Sequence, residues 1–444
     1  MALLQDVLVA GTGPAAIQLA VLLKRWQRSR VGIAGRRSVR SAPFFEALHQ
    51  SGRTVYVDTS NVKLSSLQGE CRLDAVYPEY GRVEEEWDTF ILAVTADAFL
   101  PVLEQIQSPV LRGFRCVALL SPTFGSSALV RHYLKERGCD AEVISFSTYL
   151  GDTRRISESP PNRVHTAAAK RRVYAGSSEK HSEAVEAFRR LYANAGIELA
   201  ALESALEAET RNISLYVHPP LFMNDFSLGA IFDRPDVPKY VYKLFPEGPI
   251  TPVLIREMLE QWKEISAIAR VLGAKPLNLL QFMVDDNYPV RPESLPRQVI
   301  DGFPELEPIH QQYALYVRYA SLLIDPYSEP DPGGRYFDFS AVPLRPVFLN
   351  HEGAWEIPRM PKEDDYRLKI IQGIARLGGV PCPTIDRFVS RYEHRLLSAA
   401  SSLSGAHFSE SFVPQSFDKD IERIGEELQL GAAARTTLSD PSNP

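Results

Sequence analysis

The chain has 444 residues, which suggests two or three domains. Its 45% hydrophobic and 23% charged residues are the mix of an ordinary globular protein. A net charge of −6 argues against a general binder of nucleic acid or membrane surfaces, and no apolar run is long enough to span a bilayer.

The first element is the apolar run Asp6-Val7-Leu8-Val9-Ala10, followed by Gly11-Thr12-Gly13-Pro14-Ala15-Ala16. A short strand, a glycine turn and a helix start, in that order, open a dinucleotide-binding domain. Gly11 lets the chain turn sharply off the strand. Gly13, with no Cβ, lets the backbone approach a pyrophosphate. Pro14 suits the first helical position, where a missing N–H costs nothing, and Ala16 is small enough for close helix–strand packing. The free N–H groups of the new helix then face the phosphates. Leu19, Ala20, Leu22 and Leu23 continue an amphipathic helix, and Val31-Gly32-Ile33-Ala34-Gly35 reads as the second strand.

The end of that second strand selects the nucleotide. An NAD site usually has an acidic residue here, about 20 residues after the glycines, to hold the ribose hydroxyls. This chain has Gly35-Arg36-Arg37-Ser38-Val39-Arg40. No carboxylate repels a 2′-phosphate, and the planar guanidinium fork can bind one with two hydrogen bonds. The pattern predicts NADP(H), with Arg36 the first choice for the phosphate and Arg37 or Arg40 the second.

Strand-like runs follow at 54–59, 89–95, 116–121 and 141–149, with helical patterns at 97–106 and 126–137. Alternating strands and helices predict an α/β fold with a parallel, doubly wound, Rossmann-like sheet. Its ligands bind beyond the carboxyl ends of the strands. Thr95 and Asp97, Ser121 to Ser126 and Tyr149 to Asp152 end such runs, and Thr95, Ser121 and Pro122 join Gly11 to Ala15 as cofactor candidates. The segment 153–163 reads as a polar connection. A further strand–helix–strand pattern extends the nucleotide domain to about residue 200. From 201 to 430 helical periodicities dominate (201–217, 251–272, 308–324 and 364–378), predicting a mainly α-helical substrate and catalytic domain. Thr251-Pro252 is a helix start signal. The stretch 431–444 is small and polar and is expected to fray. Cys71, Cys116, Cys139 and Cys382 have the spacing of neither a zinc site nor a disulfide framework, and Cys116 reads as a small core residue. Together with an N-terminus that enters a strand without a basic leader, this predicts a cytoplasmic protein with no metal site.

A nicotinamide cofactor carries hydride, so the protein must supply orientation and a proton. Of nine histidines, His218 stands apart. It ends the apolar stretch Ile213-Ser214-Leu215-Tyr216-Val217 and precedes Pro219-Pro220. Because proline disfavours helical geometry in the residue before it, His218 is expected at a helix end beside a stiff loop. A proton-carrying histidine needs an orienting group on its other nitrogen. Asp152, closing the strand-end run from Ser145, is the candidate, and it would raise the basicity of His218.

Several long strings resemble those of the opine dehydrogenases that complete bacterial opine metallophores, of the staphylopine and pseudopaline type. They are Gly11-Thr12-Gly13-Pro14, Ala93-Val94-Thr95-Ala96-Asp97-Ala98, Ser121-Pro122-Thr123-Phe124-Gly125-Ser126, Ser147-Thr148-Tyr149-Leu150-Gly151-Asp152-Thr153-Arg154, Tyr216-Val217-His218-Pro219-Pro220-Leu221-Phe222-Met223-Asn224-Asp225, Tyr242-Lys243-Leu244-Phe245-Pro246-Glu247-Gly248-Pro249-Ile250-Thr251, Asn287-Tyr288-Pro289-Val290 and Tyr336-Phe337-Asp338-Phe339-Ser340-Ala341-Val342-Pro343. The strings around Asp152 and His218 look closer to the staphylopine branch. The resemblance implies an NADPH-dependent reductive condensation of a nicotianamine-like amine intermediate (an amino acid plus an aminobutyrate unit) with a 2-keto acid, pyruvate or 2-oxoglutarate. It implies a His–Asp catalytic pair at His218 and Asp152, a phosphate site at Arg36 and Arg40, and a homodimer. Substrate carboxylates need cations, so Lys243, Arg154 and Arg318 become substrate candidates, with Tyr240 and Asn224 behind them. Two other readings fit the same architecture: a reductase of the ketopantoate type acting on a keto acid alone, and a protein that senses NADPH without turnover.

Overall fold

The computed structural model of the protein describes residues 3–60, 62–84, 86–156, 158–321, 340–402 and 407–430. The expected fraying of 431–444 and the end of the 308–324 helix therefore lie outside the described residues. The chain divides into two compact units, one of residues Met1–Asn212 with Glu426–Leu428, the other beginning at Ile213.

The first unit contains β1 (Asp6–Ala10), α1 (Pro14–Leu22), β2 (Arg30–Ala34), α2 (Ala42–Gln50), β3 (Thr54–Thr59), β4 (Gly69–Arg72), β5 (Ala75–Tyr77) and β6 (Thr89–Leu92). It continues through α3 (Phe99–Leu103), α4 (Ser108–Gly113), β7 (Cys116–Leu119), α5 (Ser126–Glu136), β8 (Glu142–Phe146), β9 (Gly151–Arg154), β10 (Arg163–Ala169), β11 (Arg172–Ser177), α6 (Glu183–Asn194), β12 (Glu198–Leu202) and α7 (Ala205–Thr210). An eight-stranded sheet runs β12-β11-β8-β7-β6-β1-β2-β5. All its pairs are parallel except β8 with β11. Strand order reverses at β1, between β2 on one side and β6 on the other, which creates the switch point where such sheets bind ligands. The α/β fold is the one the alternation predicts.

Two expectations change. Thr54–Thr59 does not enter the main sheet. It forms a second sheet, β4-β3-β10-β9, while Ala75–Tyr77 takes the place beside β2. The reason is visible in its side chains: Val55 and Val57 are buried while their neighbours are not, the alternation of a sheet with one face covered. By contrast β6 and β7 are buried throughout. Helix α1 also departs from the amphipathic reading, for Ala16 to Leu22 are all buried. It packs against strands of both sheets, so no face is left for solvent. Its one polar residue there, Gln18, donates from Nε2 to the Leu67 carbonyl at 2.8 Å and accepts from Thr166 Oγ1 at 2.5 Å.

The second unit contains α8 (Ser214–Phe222), α9 (Asp225–Phe232), α10 (Pro252–Val271), α11 (Leu279–Asp285), α12 (Arg297–Asp301), α13 (Pro308–Ser321), α14 (Arg359–Leu377) and α15 (Pro383–Ser402). The predicted 201–217 helix is really β12's end, α7 and the start of α8. Ser204 stops the strand and caps α7 by accepting from the Glu207 N–H at 3.1 Å. Thr251 caps α10 in the same way, at Leu254 N–H, 3.2 Å. Leu254, Ile255, Met258, Leu259, Trp262 and Ile265 form the buried stripe of α10, which packs against α8, α13 and α15. The four cysteines are buried and free, Cys116 completely so.

Candidate active site

The glycine turn has the geometry a dinucleotide needs. Gly11 has φ +120°, and a Cβ there would sit 2.7 Å from the Ala93 carbonyl oxygen. Gly13 is the N-cap of α1, with no side chain capping it and nothing within 4 Å of where a Cβ would be. No side chain caps the first N–H groups of α1, which leaves them available to a pyrophosphate. Thr12 is bracketed from outside the turn: its carbonyl accepts a hydrogen bond from Arg155 Nη2 at 2.8 Å.

The three arginines after β2 are not equivalent. Arg37, 80% exposed at its side chain, is drawn to Glu79, with Nη1 3.3 Å from Oε1. Arg36 and Arg40 have no ion pair among the described residues. Arg36 lies close enough to Tyr80 to oppose the burial that pushes that phenol up to about 12. At the other strand ends, Thr95 is half-buried just before a short 3-10 turn, and Ser121 and Pro122 begin the turn into α5. That turn is held by a residue the sequence reading missed. Glu209, on α7 and fully buried, accepts from the N–H groups of Gly125 (2.8 Å) and Ser127 (2.7 Å) and from Ser145 Oγ (2.8 Å). Its carboxylate fills the N-terminus of α5. Burial pushes it up to about 7, against the pull of those hydrogen bonds. Asn212 Nδ2 adds a bond to the Pro122 carbonyl at 3.2 Å.

Asp152 is not at the end of a main-sheet strand, as its run suggested. β8 stops at Phe146, and Asp152 lies on β9, paired with Ala168 in the antiparallel register of the small sheet. Period-two alternation puts Asp152 and Arg154 together on the exposed face of β9, while Thr153 bonds Thr166 Oγ1 on the other.

His218 belongs to the second unit. It does not end its helix: α8 runs on through Pro219 and Pro220 to Phe222. Proline 219 cannot donate to the carbonyl four residues back, which is that of Leu215. Gln261 Nε2 of α10 donates to this carbonyl instead, at 2.6 Å, so tertiary structure repairs the break. The Pro220 ring makes the helix stiff, and His218 is held at its middle with a side chain 22% exposed. Its Nδ1 lies 3.7 Å from Oδ1 of Asp364, which is fully buried. Asp364 stands in the first turn after a break at Met360 in α14, and there it accepts from Arg367 Nη1 at 3.0 Å. Glu363 in turn pairs with Arg367 and Arg359. Burial disfavours the charged form of both partners. It lowers His218 to about 3, with Arg367 adding and Glu363 opposing, and raises Asp364 to about 7. The expected rise in His218 basicity is thus reversed by its own surroundings. Sequence offered little sign of Asp364, since Lys362-Glu363-Asp364-Asp365 reads as a solvated charged run.

Arg318, on α13, is 5% exposed. Its Nε has no hydrogen-bond partner, Nη2 reaches the Met283 carbonyl at 3.4 Å, and it has no ion pair among the described residues. Burial lowers it below the ordinary guanidinium value, while Tyr319, Tyr288 and Tyr242 act to keep it charged. Tyr242 feels both Arg318 and Asp364, and burial pushes it up to about 12. Lys243 lies 3.6 Å from Glu247 and 5.6 Å from the Tyr240 ring centre. Tyr240 is half-buried and bridges to Pro343. Asn224 is committed elsewhere: it caps α9 through Ser227 N–H at 2.9 Å and donates to the Pro220 and Leu221 carbonyls.

A family model described as staphylopine dehydrogenase matches residues 5–428. The chain is 43% identical to a staphylopine synthase of Staphylococcus aureus strain Mu50, over 96% of this chain and 99% of the relative. It is 41% identical to a pseudopaline synthase of Pseudomonas aeruginosa strain UCBPP-PA14, over 88% and 90% of the two chains. The solved structure of a yersinopine dehydrogenase with NADP+ bound superposes with a TM-score of 0.89 at 32% identity, covering 96% of this chain and 99% of the other. With a family model matched along nearly its whole length, and relatives this similar, the chain belongs to the staphylopine dehydrogenase family and is an oxidoreductase.

Proposed function

We propose that the protein completes an opine-type metallophore by NADPH-dependent reductive condensation. A nicotianamine-like amine condenses with a 2-keto acid, pyruvate or 2-oxoglutarate, and the resulting imine is reduced to a secondary amine. When bound, the cofactor supplies the hydride. Gly11 to Ala15 hold its pyrophosphate, Arg36 and Arg40 its 2′-phosphate, and Thr95, Ser121 and Pro122 border the reactive end. The open space over Gly13 and the absence of an acid at the end of β2 support this.

The observation that carries the reading on the substrate side is the placement of His218. A proton carrier needs an orienting group, and His218 Nδ1 stands 3.7 Å from the Asp364 carboxyl, which supports an imidazole that takes the proton an amine must lose before attacking a ketone. The same group can return that proton when the carbinolamine loses water. Asp152 remains the acidic member of the catalytic pair that the family resemblance implies, and Asp364 holds the ring from within its own unit. A buried guanidinium with no acid beside it among the described residues is costly, and a substrate carboxylate at Arg318 would relieve it. Arg154 and Lys243 are further cations for the same substrates, with Tyr240 beside Lys243. We place the enzyme in the cytoplasm as a homodimer, on the resemblance to its family; among the described residues no helix is long and apolar enough to cross a membrane.

The test is a matrix of amines and keto acids scored by NADPH oxidation, with product masses measured. Turnover is expected only when amine and keto acid are both present. Oxidation with a keto acid alone would favour a reductase of the ketopantoate type, and no oxidation with any pair would leave an NADPH sensor.

A further inference from the structure

We infer that Arg155 is a direct ligand of the cofactor's 2′-phosphate, delivered to the glycine turn from the small sheet and sharing that phosphate with Arg40. The inference rests on the NADP(H) reading above and adds a residue that the strand-end pattern does not contain. Arg155 follows β9 and lies far along the chain from the basic loop after β2. The fold nonetheless brings it to the turn, where Nη2 donates to the Thr12 carbonyl at 2.8 Å.

Three features favour a phosphate there. A guanidinium has five N–H donors in a planar fork, and the Thr12 carbonyl takes one, so a second face remains for an anion. Arg155 and Arg40 also lie within electrostatic reach of each other, and partial desolvation together with Arg40 lowers Arg155 below its ordinary value. Like charges are gathered only at a cost unless an anion sits between them. Finally, neither has an ion pair among the described residues, whereas Arg37, in the same loop, is already taken by Glu79. Arg40 belongs to the loop where an NAD site would present its acid to the ribose, so the shared anion is the phosphate on that ribose rather than the pyrophosphate.

The Thr12 bond gives Arg155 a fixed starting position, so little is lost in ordering it when the cofactor binds. It is also why lysine is a poor substitute. A single ammonium cannot span the carbonyl and the phosphate with a planar fork.

The experiment is calorimetric titration of the full-length protein and of Arg155→Gln and Arg155→Lys with NADPH, NADH, 2′,5′-ADP and 5′-AMP, at low and high salt. For Arg155→Gln the dissociation constants of NADPH and 2′,5′-ADP should rise about 10–100-fold, the loss of one charge-assisted contact. Those of NADH and 5′-AMP should change less than about threefold, and the salt dependence of NADPH binding should flatten. Arg155→Lys, which keeps the charge, should fall between. An equal loss for NADPH and NADH would overturn the inference, because Arg155 would then merely brace the turn. Unchanged NADPH affinity in a folded Arg155→Gln would overturn it too. If the unaltered protein binds neither dinucleotide, the failure belongs to the cofactor reading instead.

Discussion

His218 Nδ1 and Asp364 Oδ1 stand 3.7 Å apart, one on a helix stiffened by two prolines, the other in the first turn after the break at Met360 in α14. Arg367 Nη1 donates to the same Oδ1 at 3.0 Å, so the carboxyl is fixed from within its own helix. His218→Ala should lower turnover about 10²–10⁴-fold, the usual contribution of a general acid–base. Cofactor affinity, measured by fluorescence titration, should stay unchanged, because the glycine turn belongs to the other unit. Asp364→Asn should lower turnover about 10–100-fold, the loss of one charge-assisted contact. If Asp364→Asn turns over normally, the ring is oriented by another group.

The two glycines of the turn should separate folding from binding. Gly11→Ala forces a side chain into a positive φ and against the Ala93 carbonyl, so thermal or denaturant unfolding should show a loss of about 1–3 kcal/mol or more. Gly13→Ala meets nothing in the protein and keeps an extended φ of −84°, so stability should stay within about 0.5 kcal/mol. Its NADPH affinity should nevertheless fall roughly tenfold or more, because the added methyl occupies the approach to the pyrophosphate.

Gln261→Met removes the donor that satisfies the Leu215 carbonyl beside Pro219. A buried carbonyl left unpaired costs about 1–3 kcal/mol, to be read as a lower denaturant midpoint with an unchanged slope. A stability equal to the parent would mean that α8 finds another partner for this carbonyl.

Stability should depend on pH through Glu209. Its folded value, about 7, is raised above that of an unfolded glutamate. Such a group favours the folded state below its unfolded pKa, and that advantage is lost as pH rises from about 4.5 through about 7, on the order of 3 kcal/mol. Asp364 acts in the same sense. His218, lowered by burial, acts in the opposite sense: its contribution is present above about 6.5 and fades as pH falls toward about 3. Denaturation from pH 5 to 8 should therefore show the parent losing more stability than Glu209→Gln. Parallel curves would show that Glu209 is ionised throughout, held by its three hydrogen bonds.

Local pattern was enough for the nucleotide half. A glycine turn, the helix start at Pro14 and a missing acid at the end of β2 are written within about thirty residues, and backbone sterics make their meaning local. The alternation of apolar runs likewise sufficed for the parallel sheet, because buried strands and helices differ in period. It did not decide which sheet a strand joins, and Thr54–Thr59 went to the smaller one. The Pro219-Pro220 pair shows why. By local rules it ends a helix, but a glutamine 46 residues away supplies the lost hydrogen bond. Asp364 and Arg155 were illegible for the same reason. Each reads as one charge among several on a polar stretch, and its chemistry appears only when folding removes water or brings it to a carbonyl far along the chain. Propensity and turn geometry are properties of neighbours in sequence; desolvation, ion pairing and pKa are properties of neighbours in space, and only the tertiary structure chooses those.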